Sequence, residues 1–188
     1  GRPVPSFGDP SARMAIIGLA PAAHGANRTG RMFTGDQSGD WLYRALYDAG
    51  IASQAHSIDA ADGLALRDCR IIAPVHCAPP DNWPRPDEKR TCAIWFDDEL
   101  ARLTTLHAAM CLGQIAWTST LAAARRLGWQ VPRPAPLRVS ATALVLNSSG
   151  PMELPSSCWG ATTSAVRTRI PDVSLVTCLT TPSARFWI

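Results

Sequence analysis

Short apolar runs alternate with helical stretches over residues 14–127, and this alternation is the strongest constraint on the fold. Each run has the length of a buried strand, and a segment with apolar residues at helical spacing follows it. Such alternation is typical of βαβ units around a parallel sheet. Ser38 is the predicted N-cap of the first helix, and Gly50 closes it. We predict an α/β fold with strands at 14–18, 70–75 and 107–112 and helices at 38–50, 87–103 and 114–127.

Two loops that follow the first two predicted strands are the expected location of the function. Residues 20–39 are rich in glycine and small side chains, and residues 76–86 are too dense in proline for a helix or a central strand. Ligands of open α/β sheets bind outside the carboxyl ends of the strands, where both loops would lie. Residues 51–68, in contrast, are predicted to form an irregular connection on the surface.

The composition is that of a globular domain with a small positive charge. The 188 residues are enough for one domain with a substantial core. No apolar run approaches the roughly 18 residues of a membrane span and no apolar leader precedes the first strand, so we expect a cytoplasmic protein. A net charge of +3, carried almost wholly by arginine, permits nucleic-acid binding without requiring it. The six cysteines include no CxxC pair, so disulfides are not expected.

The first loop places an aromatic ring and a carboxylate just before a helix. Small residues allow the backbone to approach a flat ligand closely, Phe33 offers a stacking face, and Asp36 could orient or deprotonate a water molecule. The same arrangement could hold a phosphate near a helix start, although neither GxxxxGK[ST] nor GxGxxG occurs. Each residue also has an ordinary structural interpretation: Asp36 as a cap, Asn82 of the second loop as a turn residue, and His24 as a structural side chain.

Two long stretches resemble the conserved blocks of type 5 uracil-DNA glycosylases. The sequence GLAPAAHGANRTGRMFTGDQSGD at residues 18–40 is similar to the first motif of that family. The sequence PVHCAPPDNWP at residues 74–84 is similar to the second block, and residues 91–92 match the next cysteine position. The resemblance extends over residues 1–134 and implies a three-layer αβα fold with a small central parallel sheet.

The resemblance also implies a reaction and a set of site residues. Members of the family hydrolyse the N-glycosidic bond of uracil in DNA after flipping the nucleotide out of the duplex, because the bond is inaccessible within the stack. A nearby carboxylate suits the positive charge that develops on the sugar. The implied catalytic residues are Asp36 and Asn82, and the implied base contacts are the backbone of Ala20, Pro21 and Ala22, the ring of Phe33, and the pocket-lining side chains of His24 and Asn27.

The family holds a [4Fe–4S] cluster on four cysteines, and this chain matches two of these positions. Cys77 and Cys92 are the matching residues, and we expect the other two ligands to lie in an N-terminal segment that is absent here. Cys69 and Cys111 match no ligand position and are predicted to be buried as small hydrophobic side chains. We therefore expect the cluster in the full-length parent and an incomplete ligand set in this chain.

The resemblance stops near residue 134. Members of the family carry a later block with a catalytic histidine, whereas no histidine follows His107 here. Residues 161–173, back-translated in a shifted frame with synonymous bases only, read Tyr-His-Val-Ser-x-Ser-Asn-Thr-Asn-Thr-Gly-Arg, which is similar to that block. We therefore hypothesise a frameshift between Pro134 and Leu137. Residues 1–134 would form a partial core whose last strand and helix are missing or non-native, and residues 135–188 a disordered or poorly packed tail.

Two functions follow from these observations. The leading one is a hydrolase, a DNA glycosylase for uracil and other deaminated bases, with activity weakened in this chain. The alternative is a non-catalytic module that binds DNA or a nucleotide in the same pocket. The expected partner is DNA that contains uracil or other deaminated bases. We expect a monomer that binds no membrane.

Overall fold

The computed structural model describes residues 2–129 and the strand residues 141–145, 168–170 and 173–175. In this part of the chain the main sheet has five strands: β1 (Phe7–Gly8), β2 (Met14–Ile17), β3 (Cys69–Ile72), β4 (Ala108–Leu112) and β5 (Ala141–Val145). Their order across the sheet is β1-β3-β2-β4-β5. The three central strands run parallel, and both edge strands are antiparallel to their neighbours. The predicted α/β fold with a small central parallel sheet is confirmed, and the antiparallel edges are an addition to it.

Helices cover both faces of the sheet. The described residues form α1 (Ala26–Thr29), α2 (Gln37–Asp48), α3 (Pro86–Arg102) and α4 (Gln114–Arg126), with a short 3-10 helix at Pro80–Asn82. In the sheet, β3 lies on one side of β2 and β4 on the other. The connection through α2 leads from β2 to β3, whereas the connection through α3 leads from β3 past β2 to β4. Because such connections are right-handed, α2 and α3 lie on opposite faces. Helix α4 packs against α3, which completes the three layers.

The central strands are largely apolar on both faces, as expected of a sheet between helical layers, with the half-buried Arg70 of β3 as the charged exception. Ile16 and Ile17 of β2 are fully buried, and so are Ile71 and Ile72 of β3. In the parallel register Ile16 pairs with Ile71, and Ile17 pairs with Ile72. The two strands therefore end side by side, so the loops that follow them begin at neighbouring points of the same sheet edge.

Helix α2 begins slightly before its predicted start. Asp36 is its N-cap, and the Oδ1 atom of Asp36 accepts a hydrogen bond of 3.0 Å from the amide of Gly39. The prediction of Ser38 as the cap is wrong because Ser38 lies inside the first helical turn, with its side chain exposed. Both residue types are good caps, so sequence preference alone could not separate them. Gly50 follows the helix with φ of +73°, as predicted for a residue that closes it.

Residues 51–68 contribute to the core, so the prediction of a surface connection is wrong. Ile51, Leu64 and Leu66 are buried, and Ala52 forms an isolated antiparallel bridge with Leu66. The amide of Arg67 also donates a hydrogen bond of 2.8 Å to the carbonyl of Ile51, which ties the two ends of the segment together. Only residues 64–67 alternate between buried and exposed, a stretch too short to predict a strand, and the other buried positions follow no period.

The chain divides into two compact units, Gly1–Glu153 and Leu154–Ile188. The described residues of the second unit are β6 (Thr168–Ile170) and β7 (Val173–Leu175), which pair antiparallel. The predicted frameshift, the predicted boundary near residue 134 and most of the predicted tail at 135–188 lie outside the described residues and stay predictions. No helix in the described part of the chain is long and apolar enough to cross a membrane.

Candidate active site at the carboxyl ends of the parallel strands

The ring of Phe33 lies against Gly18, the residue that follows β2. A Cβ atom at Gly18 would be 2.8 Å from both Cε2 and Cζ of the ring, so any larger residue would push the ring out of its present position. The amide of Gly18 donates a hydrogen bond of 2.9 Å to the carbonyl of Ile72, the last residue of β3. The half-buried ring is therefore placed where the two central strands end.

The backbone of Phe33 adopts a left-handed conformation, with φ of +54°. This conformation is unusual for a bulky residue and persists only where the surroundings enforce it. Gly39 of α2 packs against the Phe33 backbone so closely that a Cβ atom at Gly39 would overlap the Phe33 carbonyl oxygen. The hydroxyl of Tyr43 donates a hydrogen bond of 2.8 Å to the carbonyl of Met32. Burial raises the pKa of Tyr43, so its hydroxyl remains a donor at neutral pH.

Asp36 is held at the start of α2 by one of its two carboxylate oxygens. Oδ1 accepts the capping hydrogen bond from Gly39. Oδ2 lies on the side of Gly25, where a Cβ atom would approach it to 2.5 Å. Within the described part of the chain no hydrogen-bond donor reaches Oδ2. The half-buried carboxylate is thus fixed in orientation while Oδ2 stays available for a water molecule or a substrate.

A buried polar network ties the first loop to the segment 51–68. The guanidinium of Arg31, whose side chain is 3% exposed, forms an ion pair of 2.8 Å with Asp62. Its Nη1 atom also donates a hydrogen bond of 2.8 Å to the hydroxyl of Ser57. Ser57 and Thr34 share a hydrogen bond of 2.6 Å between their hydroxyls. The guanidinium carbon lies 4.5 Å from the centre of the Phe7 ring, a cation–π contact. Arg31 and Thr34, which lie before and after Phe33 in the sequence, are therefore both held to the segment 51–68.

The carboxylate of Asp62 is saturated with hydrogen bonds. Besides Arg31, the amides of Ile58 and Leu64 donate to it at 2.8 and 2.9 Å. The hydrogen bonds from Arg31 lower the pKa of Asp62 far below its usual value, although burial acts in the opposite direction. The pair is ionised and fully hydrogen-bonded, which is the condition under which a protein tolerates a buried ion pair.

Asn82 lies on a tight turn in the loop after β3. Its amide donates a hydrogen bond of 3.2 Å to the carbonyl of Pro79, and both Asp81 and Asn82 are left-handed, with φ of +54° and +55°. The side chain of Asn82 is exposed. No hydrogen bond joins it to Phe33 or Asp36 in residues 2–129. The two loops start at neighbouring strand ends, but the place of Asn82 in a common site stays a prediction.

A loop that carries a strand-end aromatic ring and a capping carboxylate agrees with a match to a protein family. The chain matches the family model described as the Uracil DNA glycosylase superfamily over residues 5–185. The chain belongs to the uracil-DNA glycosylase superfamily.

Curated relatives in this superfamily are named type-5 uracil-DNA glycosylase. The chain is 54% identical over 135 residues to the one from Mycobacterium bovis, a match that covers 71% of this chain and 50% of that protein. It is 50% identical over 121 residues to the one from Thermus thermophilus, with coverages of 64% and 55%. For Pyrobaculum aerophilum the identity is 46% over 121 residues, with coverages of 64% and 53%. The chain spans about half the length of these relatives. The resemblance to type 5 enzymes is confirmed.

The remaining predicted base contacts of this superfamily member lie in the first loop. Pro21 is buried, and Ala20 and Ala22 are half-buried. The carbonyl of Ala22 accepts a hydrogen bond of 3.0 Å from the amide of Asn27, so this oxygen already uses part of its hydrogen-bonding capacity within the turn. The side chains of His24 and Asn27 are exposed. Their contacts with a base stay predictions.

The four cysteines within residues 2–129 separate into two classes. Cys69 and Cys111 are buried in strands, and burial raises their pKa values to about 12 and about 11, so the prediction that they act as small hydrophobic residues is confirmed. Cys77 is exposed and Cys92 is half-buried. The described residues contain no group of three or more His, Cys, Asp or Glu side chains that could hold a metal ion. Two thiols are half of the usual ligand set, so the residues that the structure describes do not by themselves fit a [4Fe–4S] cluster.

The side chains that hold the first loop in place were not among the predicted site residues. Arg31 lies within the first motif, but an arginine there gave no indication of burial. Ser57 and Asp62 lie in the segment 51–68, which has no sustained periodic pattern. A buried partner for a motif arginine is a long-range contact between loops, and local sequence carries no signal for it.

Proposed function

We propose that this chain is the catalytic core of a DNA glycosylase that hydrolyses the N-glycosidic bond of uracil, and of other deaminated bases, in DNA. The observation that carries the proposal is the position of Phe33 and Asp36 around one residue, Gly39. The Phe33 carbonyl packs on Gly39, and Asp36 caps its amide. The stacking ring and the oriented carboxylate thus come from one short turn, three residues apart in sequence, and we expect them to face the same pocket. The similar relatives bear the name uracil-DNA glycosylase, which supports the same substrate.

In the proposed reaction the uracil nucleotide leaves the duplex and its base stacks on Phe33. Oδ2 of Asp36 accepts a hydrogen bond from the attacking water and faces the positive charge that builds up on the sugar. The water oxygen bonds to C1′ while the bond from C1′ to the base breaks. The electron pair of the broken bond leaves with uracil, and the proton of the water passes to Oδ2 of Asp36. Asn82 supplies a polar contact to the base or to the reacting groups. The capping bond on Oδ1 keeps the carboxylate from rotating away during these steps.

An excision assay on a uracil-containing duplex tests the role of Asp36. Asp36→Asn is the informative variant, because asparagine is an equally good N-cap and removes only the charge. We expect α2 and the thermal stability to be retained, and the excision rate to fall roughly 10²- to 10⁴-fold. Asp40→Asn, which removes an exposed acid from the first turn of the same helix, is the matched control and should keep the wild-type rate. Undiminished excision by Asp36→Asn would contradict the proposal.

A second function is a non-catalytic module that binds DNA or a nucleotide in the same pocket. The observation that favours it is the lack of any histidine after His107. The same assay separates the two functions when binding is measured in parallel. Binding of the uracil duplex without formation of an abasic product would support the module, whereas formation of the abasic product would support the enzyme.

The expected activity of this chain is low because residues after about 134 are proposed to come from a shifted reading frame. The curated relatives match over 121 to 135 residues, which is consistent with a change of frame, whereas the family-model match extends to residue 185. The nucleotide sequence of the gene shows whether the reading frame changes near codon 134. We expect a gene returned to the other frame after codon 134 to encode a protein with higher excision activity. Equal activity of both proteins would contradict the frameshift.

A further inference from the structure

Trp83 presents a large aromatic surface to solvent beside the proposed site. It directly follows Asn82 in the loop after β3, and it is 61% exposed. The loop is nevertheless anchored at both ends, because Val75 near its start and Pro84 immediately after Trp83 are buried. Single exposed apolar side chains are common on protein surfaces, and Trp41 and Trp95 are exposed to a similar extent. What distinguishes Trp83 is its position on an anchored loop that follows a central strand.

The backbone at Trp83 is fixed. Its amide donates a hydrogen bond of 3.0 Å to the carbonyl of Pro80. The two residues before it, Asp81 and Asn82, are both left-handed, a conformation that is unfavourable for residues with side chains and that clusters at functional sites. Proline at positions 80 and 84 further restricts the chain on both sides. The indole is therefore held on a rigid turn, and little backbone entropy would be lost when it contacts a ligand.

The charges around Trp83 favour a base over a phosphate as the ligand. Asp81 is exposed two residues before it and would repel a phosphate. The guanidinium of Arg85 is engaged in an ion pair of 2.8 Å with Asp87. The tip of the loop thus offers an aromatic face and no free cation of its own. Bases stack on exposed aromatic side chains independently of sequence, because every base has a π face.

We propose that Trp83 stacks on an unpaired base of the DNA strand that enters the site, next to the nucleotide to be cleaved. The loop lies at the edge where β2 and β3 end, which is the edge that carries Phe33 and Asp36. The proposal rests on the proposed function for the identity of the ligand as DNA. It adds a second aromatic platform, outside the pocket, that holds the strand while the target nucleotide is extruded.

Binding of the full chain to two fluorescent strands tests the proposal. One strand is oligo-thymidine, and the other has the same length and backbone but carries abasic sugars. We expect Trp83→Ala to weaken binding to oligo-thymidine roughly 5- to 150-fold, and Trp83→Phe to restore most of the affinity. Binding to the abasic strand should be the same for wild type and Trp83→Ala. The dependence of affinity on salt should keep its slope, because no phosphate contact is lost.

Trp95→Ala is the matched control, since Trp95 is 64% exposed on α3 and lies away from the strand ends. It should bind both strands like wild type. Trp83→Leu keeps an apolar side chain without a ring, so it replaces Trp83→Ala if the alanine variant does not fold, and it should also lose affinity for oligo-thymidine. An unchanged affinity, or an equal loss on the abasic strand, would overturn the proposal.

Uracil excision by wild type, measured separately, distinguishes failure of this inference from failure of the proposed function. Normal excision together with undiminished binding by the Trp83 variants would contradict only the proposed stacking contact. No excision together with the expected loss of binding would contradict only the proposed reaction. Wild-type protein that binds neither strand overturns both.

Discussion

Replacing Asp62 by asparagine tests whether the buried ion pair maintains the first loop. The carboxylate of Asp62 accepts hydrogen bonds from Nη1 and Nη2 of Arg31 at 2.9 and 2.8 Å. The two side chains are 8% and 3% exposed, so asparagine would leave a buried guanidinium without a counter-charge. Removal of one partner of such a pair costs about 3–5 kcal/mol, whereas a domain is stabilised by roughly 5–15 kcal/mol in total. Asp62→Asn should therefore lose a large fraction of the free energy of unfolding.

Equilibrium unfolding in urea, followed by far-ultraviolet circular dichroism, measures this loss. Asp48→Asn is the matched control, because it breaks the ion pair between Arg44 and Asp48, whose side chains are 61% and 57% exposed. An exposed pair of this kind contributes less than about 0.5 kcal/mol. The expected difference between the two variants is thus several kcal/mol. Equal destabilisation of both would refute the assignment of the Arg31 pair as the support of the loop.

Three further perturbations have expected outcomes. The pKa of Asp62 is lower in the folded than in the unfolded chain, so its contribution to stability is present above the unfolded-state pKa of about 4 and is lost as the pH falls further. The urea midpoint of wild type should therefore drop below about pH 4, and a midpoint that does not change with pH there would contradict the role of the Arg31–Asp62 pair. Gly18→Ala should barely change stability, because the far end of the Phe33 ring can swing aside, but displacing the ring should lower uracil excision by up to about 100-fold. Gly39→Ala should destabilise the fold by about 1–3 kcal/mol, since its new Cβ atom meets backbone that cannot move, and unchanged urea unfolding would exclude this contact.

The elements of the fold were predictable where a local pattern reports a local structure. The runs at β2, β3 and β4 are mostly apolar because these strands are largely buried, with Arg70 of β3 as the charged exception, and the helices that follow them carry apolar residues at helical spacing. Strand β1 is two residues long and contains a glycine, which is too little for any pattern. The short helix α1 has four residues and likewise could not be detected within a glycine-rich loop.

The candidate site residues came from the motif, and their roles stay predictions. The structure shows that Asp36 caps α2, so its ordinary structural interpretation is correct. That role leaves the proposed catalytic one open, because the capping bond uses only Oδ1. The partners of Arg31 could not be predicted, because Ser57 and Asp62 are 26 and 31 residues away in sequence and lie in irregular backbone.

The stretch from Ile58 to Leu64 has a consequence for how this superfamily member tolerates change in chain length. Connecting segments without helix or strand usually accept insertions and deletions. Here the amides of Ile58 and Leu64 and the guanidinium of Arg31 all converge on one carboxylate, so a single added residue would pull at least one donor out of register. Despite its lack of regular structure, this coil should be as resistant to indels as a central strand, and libraries that vary loop length should place their diversity elsewhere.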